Sequence, residues 1–152
     1  MTNSTLKQYL AQVEIPLRLS CISNSGWPVG LSLWYLYEDG SLYCATPQAA
    51  KVVSYLTKEP RCAFEIASDQ PPYCGVRGRA LATMEPDRGL EILERLLTRY
   101  LGGTDNALAQ QLLGRSQAEV AIRLAPQSQH TWNFSDRMAQ SIPGVGHKIC
   151  PD

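Results

Sequence analysis

The sequence carries no surplus charge of either sign, since 14 lysines and arginines are matched by 14 aspartates and glutamates. Without a field of one sign there is nothing to draw in a phosphate polymer or an anionic membrane, so no nucleic acid partner is expected. No apolar run approaches the ~18 residues that a membrane span needs, and Met1 to Gln12 is polar and lacks the apolar centre of a targeting segment. A cytoplasmic chain with no membrane contact is the expectation. Histidine is limited to His130 and His147, and the five cysteines (Cys21, Cys44, Cys62, Cys74 and Cys150) contain no Cys-x-x-Cys pair. Neither a zinc site nor a disulfide framework is readable in that set, so no metal is expected, and most of the thiols read as small buried hydrophobes within strands. Walker-type glycines are missing, which argues against a nucleoside triphosphate loop. No Ser-His-Asp set or catalytic carboxylate pair stands out, and the catalytic residues stay unassigned.

What is there is a chain of 152 residues, enough for one domain with a real core. From Ile15 to Ala82 it reads as short β-runs cut by turn signals: Ile15 to Ser23, Val29 to Tyr37 and Ser41 to Ala45, divided by Asn24-Ser25-Gly26 and Glu38-Asp39-Gly40. After Thr46-Pro47 the spacing of Val52, Val53 and Leu56 turns helical and stops before Pro60. Arg61 to Ala67 and Tyr73 to Thr83 are further strands, the second with Gly75 and Gly78 marking a bulge or a close backbone approach. Asp87 is placed to cap a helix through Tyr100. In it Leu90, Leu93, Leu97 and Leu101 recur on one face, and Glu91, Glu94, Arg95 and Arg99 face water. Thr104 is placed to cap a shorter helix through Leu113. Glu119 to Leu124 gives a sixth strand, Thr131 to Phe134 a short extra one, and the tail 141–152 is expected to be irregular.

Strand Val29 to Tyr37 is apolar on both faces, with Leu31, Leu33 and Tyr35 pointing one way and Trp34 and Leu36 the other. Both faces must be buried. A barrel can fill its interior with one set and press the other against helices or a second subunit, which is the physical ground for expecting a homodimer.

Two segments could receive a ligand. In Tyr43-Cys44-Ala45-Thr46-Pro47-Gln48-Ala49-Ala50-Lys51 the end of a strand runs into a helix start, whose free N–H groups, with a nearby threonine and lysine, suit one phosphate. The same residues also fit a threonine that only caps the turn and a solvated lysine. In Gly75-Val76-Arg77-Gly78-Arg79 the two arginines share a strand face and could grip a phosphate or carboxylate, with small Gly78 admitting a ligand. They could equally be surface arginines, one of them paired with Glu65. Trp34, Tyr35, Trp132 and Phe134 could flank a flat heteroaromatic ligand or simply be core.

The order and spacing of these pieces resemble the pyridoxamine 5'-phosphate oxidase-like family of FMN-binding split barrels. The likeness runs from Ile15 to about Met138. It is carried by Arg18-Leu19-Ser20, Gly26-Trp27-Pro28, Leu33-Trp34-Tyr35, Tyr43-Cys44-Ala45-Thr46 with Lys51-Val52, and Glu59-Pro60-Arg61. Pro71-Pro72-Tyr73, Gly75-Val76-Arg77-Gly78-Arg79 and Thr131-Trp132-Asn133-Phe134-Ser135 complete it. The resemblance implies a mainly β domain over 1–140, a six-stranded antiparallel Greek-key split barrel with covering α-helices, working as a homodimer with FMN at the subunit interface. It implies Thr46 and Lys51 as phosphate ligands, Leu31, Ser32, Leu33 and Trp34 as the wall beside the isoalloxazine ring, with Ala45 adjoining Thr46. Arg79 is implied as a further polar contact and Trp132 as a late aromatic near the interface. The family's true oxidases are longer and end in an arginine and histidine cluster. Here Arg137 is followed by a sparse tail, so oxidation of pyridoxamine phosphate is not expected. The expected function is an FMN-dependent oxidoreductase for an unidentified small molecule. A deazaflavin-dependent reductase, or a non-catalytic flavin- or haem-binding protein with His130 or His147 as axial ligand, are the other readings.

Overall fold

The computed structural model describes residues 3–114, 118–139 and 149–151. In chain order its elements are α1 (Asn3–Gln12), β1 (Leu17–Ile22), β2 (Pro28–Leu33), β3 (Leu36–Glu38), β4 (Ser41–Pro47), α2 (Lys51–Lys58) and β5 (Arg61–Ala67). There follow β6 (Cys74–Glu85), a 3-10 turn (Pro86–Arg88), α3 (Gly89–Leu101), α4 (Ala107–Leu113), β7 (Glu119–Asn133) and α5 (Ser135–Met138). Every strand pair is antiparallel, in the order β2-β1-β5-β6-β7-β4-β3. Only Trp34 and Tyr35 separate β2 from β3, yet the two strands stand at opposite ends of that order. A two-residue link reaches no more than ~10 Å, so the sheet curls until its edges face one another across a gap. That is a split barrel.

Period-two burial fills the interior. Leu17, Leu19 and Cys21 of β1, Cys62, Phe64 and Ile66 of β5, and Ile122 and Leu124 of β7 are all buried in one cluster. The two apolar faces predicted around Trp34 are both used: Leu31, Leu33 and Tyr35 join the barrel cluster, while Trp34 and Leu36 pack with Ile92 and Leu96 of α3. Helix α3 therefore covers the second apolar face within the subunit.

Several boundaries differ from the sequence reading. Helix α1 falls in the segment read only as polar; its Leu6, Tyr9 and Leu10 lie at helical spacing and are buried in the barrel cluster. Among the described residues there are seven strands rather than six because the chain breaks at Trp34 and Tyr35, and the short strand expected at Thr131 is the end of one long β7. Pro126 lies in β7 beside the register shift opposite Arg79 and Ala80, where a bulge tolerates the missing N–H. Asp87 sits in the 3-10 turn rather than at the cap of α3, and α4 is capped by Asn106, whose side chain accepts from Ala109 N, not by Thr104. The end of α3 falls as expected, at Gly102 with φ 76°. On α3 itself Leu90 is exposed, whereas Arg99 turns inward onto the end of α1.

The cysteines bring one correction. Cys74 and Cys150 form a disulfide, although no pairing was readable, because their 76-residue separation hides the contact that folding makes. Cys21, Cys44 and Cys62 are free and buried, as read. Burial pushes the Cys44 thiol up to about 12 and the Cys62 thiol to about 11, so neither is a thiolate nucleophile. A thiol titration of the unreduced protein in denaturant is expected to count the three free cysteines, rising to the five of the sequence after reduction. Five before reduction would mean that the bridge is not formed.

No helix among the described residues is long and apolar enough to cross a membrane. Residues 141–148 of the expected irregular tail, His147 included, lie outside the described residues.

Candidate functional site

The gap between the edges of the curled sheet is bounded by β2 on one side and by β4 running into α2 on the other. Among the described residues strand β2 pairs with β1 alone, so its outward N–H and C=O groups meet no strand partner there and can meet the polar edge of a ligand. Near the end of β2 lies a hollow of about 310 Å³. Leu33, Trp34, Ala45 and Pro47 form its strand side, Leu93 and Leu96 of α3 close it, and Ser32 and Glu119 are its polar members. Trp34 is fixed there: its indole stacks on Tyr100 at 5.1 Å between centroids and 5° between planes. Tyr100 is itself held by the bond its hydroxyl donates to Ile15 O at 3.0 Å. Trp34 thus already packs on a protein ring, and it bounds the hollow as a rigid wall.

A second hollow of about 660 Å³ begins where the chain leaves the first, Pro47 lining the one and Gln48 the other. The β1–β2 turn (Ser23, Asn24, Ser25) and the start of α2, with Lys51, line it. Asn24 Nδ2 donates to Ser54 Oγ at 3.1 Å, tying the turn to the helix. The N-cap residue of α2 is Ala50, which supplies no side-chain acceptor. An anion could take that place, in front of the N–H groups of Lys51 and Val52 at the helix start and beside the exposed Lys51 side chain. Thr46, expected at this phosphate end, lines neither hollow. It is 8% exposed and follows Leu42 and Cys44 on the barrel side of β4, four residues before the cap.

The remaining expected contacts lie elsewhere. Arg79 and Trp132 stand on the outer face of the sheet, where Arg79 Nε donates to Ser128 Oγ at 3.3 Å. The Arg77 guanidinium lies 5.4 Å from the centre of the Trp132 ring. Arg77 and Arg79 do share a face, as the spacing predicted, and both border a cleft of about 580 Å³. The Glu65–Arg77 pair is opposed in register but forms no ion pair among the described residues. Gly78 does not make room for a ligand; a Cβ there would stand 2.2 Å from Ser128 O, so the protein's own backbone fills the space. Ser32, Leu33, Trp34 and Ala45 therefore line the first hollow and Lys51 the second, Leu31 lines neither and packs against the barrel cluster, and Arg79 and Trp132 stand on the outer face. Sequence reasoning missed Glu119 and the α3 residues of the hollow, because nothing local to β7 or α3 reveals that they close over β4.

No protein-family model and no curated protein matches the chain. Solved structures do, and they show the fold: it is the split barrel of pyridoxamine 5'-phosphate oxidase-like proteins. The conserved hypothetical protein Rv2991 of Mycobacterium tuberculosis superposes with a TM-score of 0.76 at 17% identity, over 97% of this chain and 92% of that one. An F420 reductase gives 0.68 at 18%, over 81% and 94%. A candidate pyridoxamine 5'-phosphate oxidase from Listeria innocua gives 0.60 at 17%, over 84% and 92%.

Proposed function

We propose that the chain binds FMN along the gap between β2 and the β4–α2 connection and serves as an FMN-dependent oxidoreductase for a small molecule. The observation that carries this reading is a pair of unlike hollows lined by successive residues of the β4–α2 connection. One is apolar, walled by Trp34 and bordered by an unpaired strand edge; the other is polar, with an uncapped helix start and Lys51. A molecule with a flat heteroaromatic ring at one end and a phosphate at the other suits both. Ser32, Leu33, Trp34, Ala45 and Lys51 support the fit to FMN; buried Thr46 would contribute only after a local shift.

A bound flavin supplies hydride and electron transfer. The chain's part is to hold the ring edge with the main chain of β2, exclude water with Leu93 and Leu96, and fix the phosphate with Lys51. Arg79 and Trp132 face away from this gap in one subunit, so they reach a cofactor only across a subunit interface. The proposed assembly is accordingly a homodimer with the cofactor at the interface.

An FMN titration followed by flavin fluorescence tests the reading. Lys51→Ala is expected to weaken binding by about tenfold or more, the usual worth of a charged phosphate contact. Wild type that does not take up FMN at micromolar concentration would overturn the proposal.

A deazaflavin cofactor is the second reading, favoured by the fold shared with an F420 reductase; preferential binding of that cofactor over FMN would establish it. A haem reading has one described histidine to use, His130, which borders the outer cleft with Arg77 and Arg79 rather than the gap.

A further inference from the structure

We infer that the outer face of the sheet is a binding site for an anionic group, a carboxylate or a phosphate, gripped by Arg18, Arg77 and Arg79. This does not depend on the flavin reading.

The strand register sets the site out. Arg18, Glu65, Arg77 and His130 stand abreast on β1, β5, β6 and β7, and Ser20, Ala63, Arg79 and Ser128 form the next row. Side chains directly opposed are about 5 Å apart at Cβ, and the next row is about 7 Å further along the strand. The three arginines therefore line one cleft of about 580 Å³ together with the small residues Ser20, Ala63 and Ser128.

Arginines opposed to a glutamate in register ordinarily pair with it, and like charges on one strand face repel. Here Glu65 lies between Arg18 and Arg77 and is ion-paired with neither among the described residues. Each arginine is steadied by a neutral neighbour instead. Arg18 Nη1 donates to Ser32 Oγ, Arg79 Nε donates to Ser128 Oγ, and Arg77 lies over the Trp132 ring. These contacts fix the stems and use one N–H each at Arg18 and Arg79, which leaves most of the five donors of every guanidinium for a ligand. Three cations against one carboxylate leave two positive charges in excess, and the forked donors match a planar carboxylate or a phosphate. Glu65 adds a single acceptor, which suits a small ligand bearing a hydrogen-bond donor beside its anion and works against polyanions. The Arg18–Ser32 bond joins this cleft to the apolar hollow, since Ser32 lines that hollow. The anion belongs to a small substrate or, where Lys51 is not the phosphate's partner, to a cofactor's phosphate that reaches the cleft across the proposed subunit interface.

The test is a titration of flavin-free protein with inorganic phosphate at fixed ionic strength, followed by the Nε–H signals of the arginines in NMR. Wild type, Arg77→Gln/Arg79→Gln and Arg61→Gln are compared, all three replaced side chains being exposed. The expected result is saturable binding, at least tenfold weaker in the double variant and unchanged in Arg61→Gln. A linear, non-saturating response, or equal affinity in the double variant and wild type, would overturn the inference. FMN titration of the same proteins identifies the source. Unchanged FMN affinity in the double variant assigns the site to a substrate anion, and a parallel loss assigns it to the cofactor's phosphate; either sustains the site. Saturable phosphate binding in a protein that takes no FMN at all would sustain the site while the flavin reading fails.

Discussion

Gly78→Ala is expected to destabilise the protein by about 3 kcal/mol, near the upper end of what overpacking a core costs. A Cβ at that position would lie 2.2 Å from Ser128 O and 2.8 Å from Phe64 Cζ. Neither neighbour can give way cheaply. Ser128 O is backbone of β7, and Phe64, 3% exposed, is packed in the barrel. Strand β6 cannot retreat either, because it is paired on both sides at this point, Gly78 opposite Phe64 on β5 and opposite Gln129 on β7. Gly30→Ala is the internal contrast. Its Cβ would meet nothing within 4 Å, so a change within about 0.5 kcal/mol is expected there. Urea denaturation of both variants checks the pair; equal, small effects would mean that β6 and β7 do not approach each other as described.

Arg99→Ala is expected to cost about 2–3 kcal/mol, because several charge-assisted bonds and two ring contacts disappear together. Helix α1 plugs the barrel, and its last carbonyls have no further turn to accept from. Arg99 on α3 supplies that need. Its Nη1 donates to Ala11 O at 2.6 Å, and Nη2 donates to Leu10 O at 3.2 Å and also to Val13 O. The Tyr35 hydroxyl adds a bond to Leu10 O at 2.9 Å, and the guanidinium lies 5.2 Å from the Tyr35 ring centre and 5.5 Å from that of Tyr100. Burial pushes both phenols above their usual range, so they remain protonated donors through neutral pH. Thermal denaturation at neutral pH is the check, and a midpoint within a degree of wild type would show that α1 is held by its apolar face alone.

The barrel was legible in the sequence because its signals are local. Asn24-Ser25-Gly26 and Glu38-Asp39-Gly40 announce hairpins, and the alternation in β1 and β5 announces half-buried strands. The double apolar face around Trp34 announced two packing partners, and the structure supplies both. What was not legible depends on contacts distant in sequence. Leu6, Tyr9 and Leu10 have helical spacing, but a short polar segment signals a core helix only when the barrel mouth it fills is known. Arg99 sits on what looks like the solvated side of α3, and nothing local tells that α1 ends beneath it. The Cys74–Cys150 bridge crosses most of the second half of the chain. Of the expected ligand contacts, Ser32, Leu33, Trp34 and Ala45 line one hollow, because the two-residue link from β2 to β3 brings the end of β2 near β4, while Leu31 turns to the barrel cluster and Lys51 lines the hollow at the start of α2. Thr46 falls on the barrel side through strand parity, and a β4 that runs on to Pro47 fixes that parity.

In the proposed site the β2 edge and the start of α2 hold a flavin. Hydrogen exchange measured with and without saturating FMN tests it most directly, since the unpaired N–H groups of an edge strand exchange fast until a ligand accepts from them. Slowed exchange concentrated in residues 28–34 and 46–53 is the predicted result. No protection in those two segments at saturating FMN, or protection confined to other parts of the chain, would contradict it.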